Sequence, residues 1–276
     1  MPEELKRDVP ENKWGKILLM TPVIMTVVAT LLAGLASSEM TRAQYDRALG
    51  AQLQSKAGDQ WSYFQAKKLR GAIQRNSYDL LQATTEIRAA EIDALKDLPT
   101  PDTSVADVKI SAALEALEQH RPESEITGLL KLVDDTSLTS ALQRAKENAS
   151  AYDSAISPAL QALEAAEKAL RTGDKSSAHD LIATKMRFNS ARYDAEARLN
   201  QTVAGFYELQ VRKANISAER HHRRSGKFFF GMLAAQAAVI VSTFAIAAQK
   251  RNFLWSVAAL AGIAAIAFAI YVYLKV

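Results

Sequence analysis

Residues 227–275 read Lys227-FFFGMLAAQAAVIVSTFAIAAQ-Lys250-Arg251-NFLWSVAALAGIAAIAFAIYVYL-Lys275. Between each pair of flanking cations no residue is charged. Each run is longer than the about 20 helical residues that cross a ~30 Å hydrocarbon core at ~1.5 Å per residue. A third uncharged run lies between Lys16 and Glu39. A buried core helix explains one such run in a soluble protein, but not three in 276 residues. A cleaved signal peptide is the rival for the first run, with Lys13 and Lys16 in front and Gly34-Leu35-Ala36 as a cleavage site. Its apolar stretch exceeds the ~7–15 residues of a signal core, which favours a retained span. The expected organisation is a polar tail at 1–16, transmembrane helices at 17–36, 228–248 and 254–274, and an extramembrane segment at 37–227.

That segment reads as helix. Leu49, Leu53, Ala57, Trp61, Phe64, Ile73, Leu80 and Ile87 recur at steps of three, four and seven, which describes one buried stripe. Gly50, Gly58 and Gly71 weaken this helix, which the spacing carries to Leu98-Pro99-Thr100-Pro101. Shorter helices are expected at 104–119 and 123–172, divided by Arg121-Pro122, with Ser157-Pro158 as a helix start. Arg171-Thr172-Gly173-Asp174 reads as a turn. A last helix, with Leu181, Phe188, Leu199, Val203 and Phe206 on its apolar face, runs from Lys175 without a break into the second span. The fold class is therefore an all-α membrane protein, with an elongated antiparallel bundle or coiled-coil stalk between the first and second of three spans.

The chain has no cysteine, which excludes disulfides, thiolate metal sites and cysteine nucleophiles. It has no phosphate-binding Gly-rich loop, no His-Glu zinc helix and no nucleophile elbow. Neither an enzyme, a metal nor a cofactor is expected. A net charge of +4 gives no reason to invoke nucleic acid. The spans carry no ionisable residue and few polar ones (Gln236, Ser242 and Thr243 in the second), which argues against an ion-coupled carrier. Ala258, Ala261, Gly262, Ala265 and Ala269 in the third span, with Ala234 and Ala238 in the second, form small-residue stripes that suit close packing between those spans or between protomers.

Two clusters stand out. Arg220, His221, His222, Arg223, Arg224 and Lys227 form a basic collar outside the second span, suited to anionic lipid headgroups. His120 and His179 read as exposed residues at helix ends. The second cluster is Lys56-Ala57-Gly58-Asp59-Gln60-Trp61-Ser62-Tyr63-Phe64-Gln65-Ala66-Lys67. By helical spacing Asp59, Tyr63, Ala66 and Arg70 share one face, and Trp61, Phe64 and Gln65 another. The stretch suits a packing knot, with Gln60 or Gln65 bonding across it, or a docking surface formed by Asp59, Gln60, Trp61, Tyr63, Phe64, Gln65 and Lys67.

This stretch resembles the hallmark run of a bacterial membrane-protein family, domain-of-unknown-function family 4337, with Gly58 in place of the family's Ser. Gln249-Lys250-Arg251-Asn252-Phe253-Leu254-Trp255 is similar to the short basic loop between that family's last two spans. The resemblance implies architecture and carries no activity; residues 100–175 offer no signature for it. The expected function is a non-enzymatic scaffold or adaptor of the bacterial inner membrane, working with the lipid bilayer and with a protein partner or a second copy. The alternative is a helical-bundle sensor that signals through a partner. Lys6, Arg7, Lys13, Lys16, Lys250 and Arg251 lie in the short segments that govern orientation, which puts 37–227 in the periplasm. A count of every flank reverses that result, because the collar then weighs in, but the collar also has a lipid-anchoring explanation.

Overall fold

The computed structural model describes residues 13–88, 90, 92–95, 98–170, 175–247 and 251–275. All regular structure among them is helical: α1 (Lys13–Thr84), a 3-10 turn (Asp93–Leu95), α2 (Val108–Glu118), α3 (Glu123–Leu130), α4 (Asp135–Leu170), α5 (Lys175–Ala247) and α6 (Arg251–Lys275). The tail up to residue 12, the turn at Arg171–Asp174, Gln249 and Lys250, and the side chain of Ala269 lie outside the described residues. By length and composition α1 and α5 are each apolar enough over part of their course to cross a membrane; in α6 the described apolar run is Ser256–Phe268. Two compact units emerge. Described residues up to Ala48 and from Asn215 form one, and Leu49–Ala214 form the other.

In the first unit, small side chains let three helices meet. Ala29 of α1, Ala235 of α5 and Ala265 of α6 form one buried cluster, and Leu32, Ala36 and Phe228 form the next. A Cβ added at Gly262 would lie 2.7 Å from Met25 Sδ, so α6 approaches α1 as well as α5. The small-residue stripes thus meet α1 too, beyond the pairing expected from sequence. The buried Ser225 hydroxyl donates to the Ala36 carbonyl at 2.7 Å, a cross-helix bond that satisfies both groups.

In the second unit, α1 ends at Thr84, well short of Leu98. The Thr84 hydroxyl bonds back to the Leu80 carbonyl at 3.0 Å, and the backbone N–H groups of Arg88 and Ala90 go instead to Asp180 (2.8 Å) and Thr184 (3.0 Å) on α5. Side chains of another helix capture donors that a longer α1 would have used. The buried stripe also differs from expectation beyond Phe64. Gly71 is buried and Lys67, Gln74, Tyr78 and Leu81 are half-buried, while Ile73 and Leu80 are 52% and 66% exposed. Polar contacts hold α1 to α5 here: Lys67 pairs with Glu196 and Arg75 with Asp194. Partners on α5 descend in number as those on α1 rise.

Residues 123–172 divide into α3 and α4 because Asp134 caps α4, accepting from the N–H groups of Thr136 (3.0 Å) and Ser137 (3.3 Å). Pro158 starts no helix; it lies inside α4. An interior proline costs ~3 kcal/mol. The apolar face continues through it, with Tyr152 and Ile156 packed on Ala195 and Leu199, and Ala159 and Leu163 packed on Leu181 and Phe188. At ~1.5–3 kcal/mol per buried large side chain, that face outweighs the lost bond. Helix α2 starts at its cap Asp107 and ends in a Schellman turn. His120 takes the left-handed conformation (φ 54°), and the N–H groups of His120 and Arg121 bond the carbonyls of Leu117 (3.1 Å) and Ala116 (2.9 Å).

Candidate functional site

The motif on α1 divides between two faces. Asp59, Tyr63 and Gln65 are exposed, while Gln60, Trp61, Phe64 and Lys67 are half-buried. The Trp61 and Phe64 rings meet edge to face with centroids 5.3 Å apart. The bond across the helices comes from Trp61, not from a glutamine: its indole N–H donates to Glu208 Oε1 at 2.6 Å. Glu208 Oε2 also accepts from Arg212 at 3.1 Å, and the Arg212 Nε–H donates to Glu123 at 3.1 Å. This chain ties α1, α5 and α3 together. Lys67 adds a contact with the Tyr193 ring at 5.5 Å to its ion pair with Glu196. The stretch that looked most distinctive in the sequence thus carries structural contacts inward and leaves three polar side chains outward.

The collar divides too. Arg220, His222 and Arg223 are exposed; Lys227 is half-buried, with its ammonium 5.9 Å from the Tyr271 ring centroid. His221 and Arg224 turn inward to Glu39, a carboxylate whose residue is only 7% exposed. His221 Nδ1 lies 2.5 Å from Glu39 Oε2, and Nε2 lies 3.9 Å from Asp46. Arg224 Nη1 is 3.6 Å and Arg42 Nη1 3.8 Å from Glu39 Oε1. The buried Arg224 Nε has no hydrogen-bond partner among the described residues. Charge buried to this degree persists only when paired. Glu39 was not singled out from the sequence; its signal was its place as the first charge after an uncharged run, followed by Arg42 and Asp46 at three- and seven-residue steps.

A cavity of about 450 Å³ opens in the second unit between loop 102–107, the first half of α4, and Leu199–Phe206 of α5. Thr136, Ser140, Arg144 and Asn148 line it from α4 at steps of four, one helical face. The Asn148 amide donates to the Asp102 carbonyl at 3.1 Å and fastens the loop to α4. No group of three or more His, Asp or Glu able to hold a metal ion occurs among the described residues. His120 and His179 are exposed and stand apart from these clusters.

The described residues are all-helical, and two of the helices are long and apolar enough, by length and composition, to cross a bilayer, which suggests a helical membrane-associated protein. More particularly, it belongs to the family described as Domain of unknown function (DUF4337), whose model matches residues 14–275. No curated protein and no solved structure matches the chain.

Proposed function

We propose that this is a non-enzymatic, multi-pass protein of the bacterial inner membrane. In this reading it spans the bilayer three times and holds residues 37–227 in the periplasm as an antiparallel helical scaffold that pairs with a second copy. The third span is supported by the 25 residues of α6, which at ~1.5 Å per residue exceed the ~30 Å hydrocarbon core. The antiparallel bundle is supported by the descending order of partners, from Trp61–Glu208 through Lys67–Glu196 to Arg88–Asp180.

The observation that carries the scaffold reading is a second seam on α1. Ala66, Leu69, Ile73, Asn76, Leu80 and Ala83 are all exposed and alternate at steps of three and four. They sit two residues, about 200°, from the seam that faces α5. Leucine and isoleucine at such steps, with one asparagine among them, are what two parallel helices bury against each other. Copies inserted in one membrane in the same sense present this seam in parallel. The flanking Gln65, Arg70, Ala72, Ser77, Asp79 and Thr84 set no like charges against each other in that arrangement.

The cysteine-free chain makes the test clean. Ile73→Cys should form a disulfide-linked dimer on mild oxidation in native membranes, and Gln74→Cys on the inner seam should not. Absence of a dimer at Ile73 would remove the pairing. For topology, Ser104→Cys should react with a membrane-impermeant thiol reagent in outer-membrane-permeabilised cells, and reporters fused after residues 120 and 276 should share a compartment. Labelling only after lysis would put the segment in the cytoplasm; reporters on opposite sides would rule out three spans. A second reading, a helical-bundle sensor acting through a partner, is favoured by the cavity beside α4.

A further inference from the structure

The cavity has the size of a small-molecule site, since such sites commonly enclose ~300–1,000 Å³. Its floor is apolar, lined by half-buried Val105 and Ala141 and by buried Ile110, Leu199 and Phe206. Its rim carries charge of both signs. The Arg144 guanidinium has no ion-pair or hydrogen-bond partner among the described residues. Asp102 and Asp107 line the same cavity. Asp107 uses one oxygen, Oδ1, to cap α2, accepting from Lys109 at 2.8 Å and Ile110 at 3.4 Å. The Ser104 hydroxyl, and then its N–H, hold the Asp102 carboxyl below the usual carboxylate range, so it is ionised at neutral pH.

A ligand must answer all three features at once. A simple carboxylate would satisfy Arg144 but face two like charges. A simple amine would satisfy the aspartates and leave Arg144 unanswered. A sugar would waste the apolar floor. We propose that the cavity binds a small zwitterion, an α-amino acid with an apolar side chain. Its carboxylate pairs with Arg144, its ammonium with Asp107 and Asp102, and its side chain lies on Val105 and Ala141. Charge-assisted bonds at both ends fix the ligand's direction, and the floor selects for an apolar side chain. The assignment rests on the sensor reading of this cavity and adds the class of ligand.

Calorimetry on the full-length protein in lipid nanodiscs tests it, with L-leucine and L-phenylalanine as probes. The leucine analogues 4-methylpentanoate, which lacks the amine, and 3-methylbutylamine, which lacks the carboxylate, serve as comparisons. At least one amino acid should bind, and each leucine analogue should bind at least tenfold more weakly than leucine where leucine is the ligand. Arg144→Gln should weaken amino-acid binding at least tenfold. Asp107→Asn keeps an N-cap, since asparagine caps as well as aspartate. It should also weaken the amino acid at least tenfold, with an unchanged thermal melt and no loss for 4-methylpentanoate. No binding of either amino acid, equal binding of 4-methylpentanoate, or full affinity in both variants would overturn the assignment. An amino acid that binds yet leaves the Ile73→Cys cross-link yield unchanged would overturn the sensor reading and spare the site.

Discussion

Glu39→Leu should lower the stability of the purified protein by ~3–5 kcal/mol, the cost of removing one partner from a buried charge cluster. The carboxylate is 10% exposed at its side chain and faces His221, Arg224 and Arg42. Without it the guanidinium, which stays charged, loses its buried counter-charge. Arg224, 21% exposed at its side chain and already short of a partner at Nε, would be left with uncompensated charge. Thermal unfolding in detergent reads the effect. The double variant Glu39→Leu/Arg224→Leu should recover most of the loss, because replacing both buried partners by apolar groups is often neutral. Additive losses in the double variant would show that the two residues are not coupled.

Phe188→Ala should cost ~3–5 kcal/mol, as large-to-small core changes do where the site cannot collapse. Phe188 is 4% exposed and packs with Ala159 and Leu163 of α4 and Leu181 of α5, with Ile92 and Leu95 of the 3-10 turn against the same cluster. The variant should therefore lower the melting temperature and expose residues 86–88 and 92–95 to protease. A melt that falls without new cleavage there would mean that the backbone bonds from Arg88 and Ala90 to α5 suffice to hold this stretch.

The long apolar helices were legible because crossing a bilayer depends on composition over a run, which a single sequence displays. The continuity of α5 past Ser225-Gly226 was legible for the same reason: no strong breaker stands in it. The end of α1 was not, since it is decided by Asp180 and Thr184, about ninety residues away in the chain. The inner seam was misread from Ile73 onward because α1 carries two seams. Apolar residues crowd the outer one, while the inner one runs through Gly71 and Gln74. Spacing reveals that a helix has a stripe, but it does not say which stripe another helix covers. Pro158 misled because its local cost is visible and the burial that offsets it is not. At the candidate sites, Trp61 and the collar were found from their composition. Glu39, Glu208 and the cavity were missed because each becomes functional only by meeting segments far off in the chain.

The inner seam of α1 has a mechanical consequence. Between Phe64 and Leu81 it presents lysine, glycine, glutamine, serine and tyrosine, so the facing helices mesh there with few apolar knobs. Sliding one past the other would displace little apolar area. Resistance to such a slip comes instead from a handful of directional contacts, Trp61 with Glu208, Lys67 with Glu196 and Arg75 with Asp194. Contacts of that kind yield abruptly and can re-form on a neighbouring acceptor, whereas interlocked leucines resist in proportion to displacement. The joint behaves less like glue than like a row of latches.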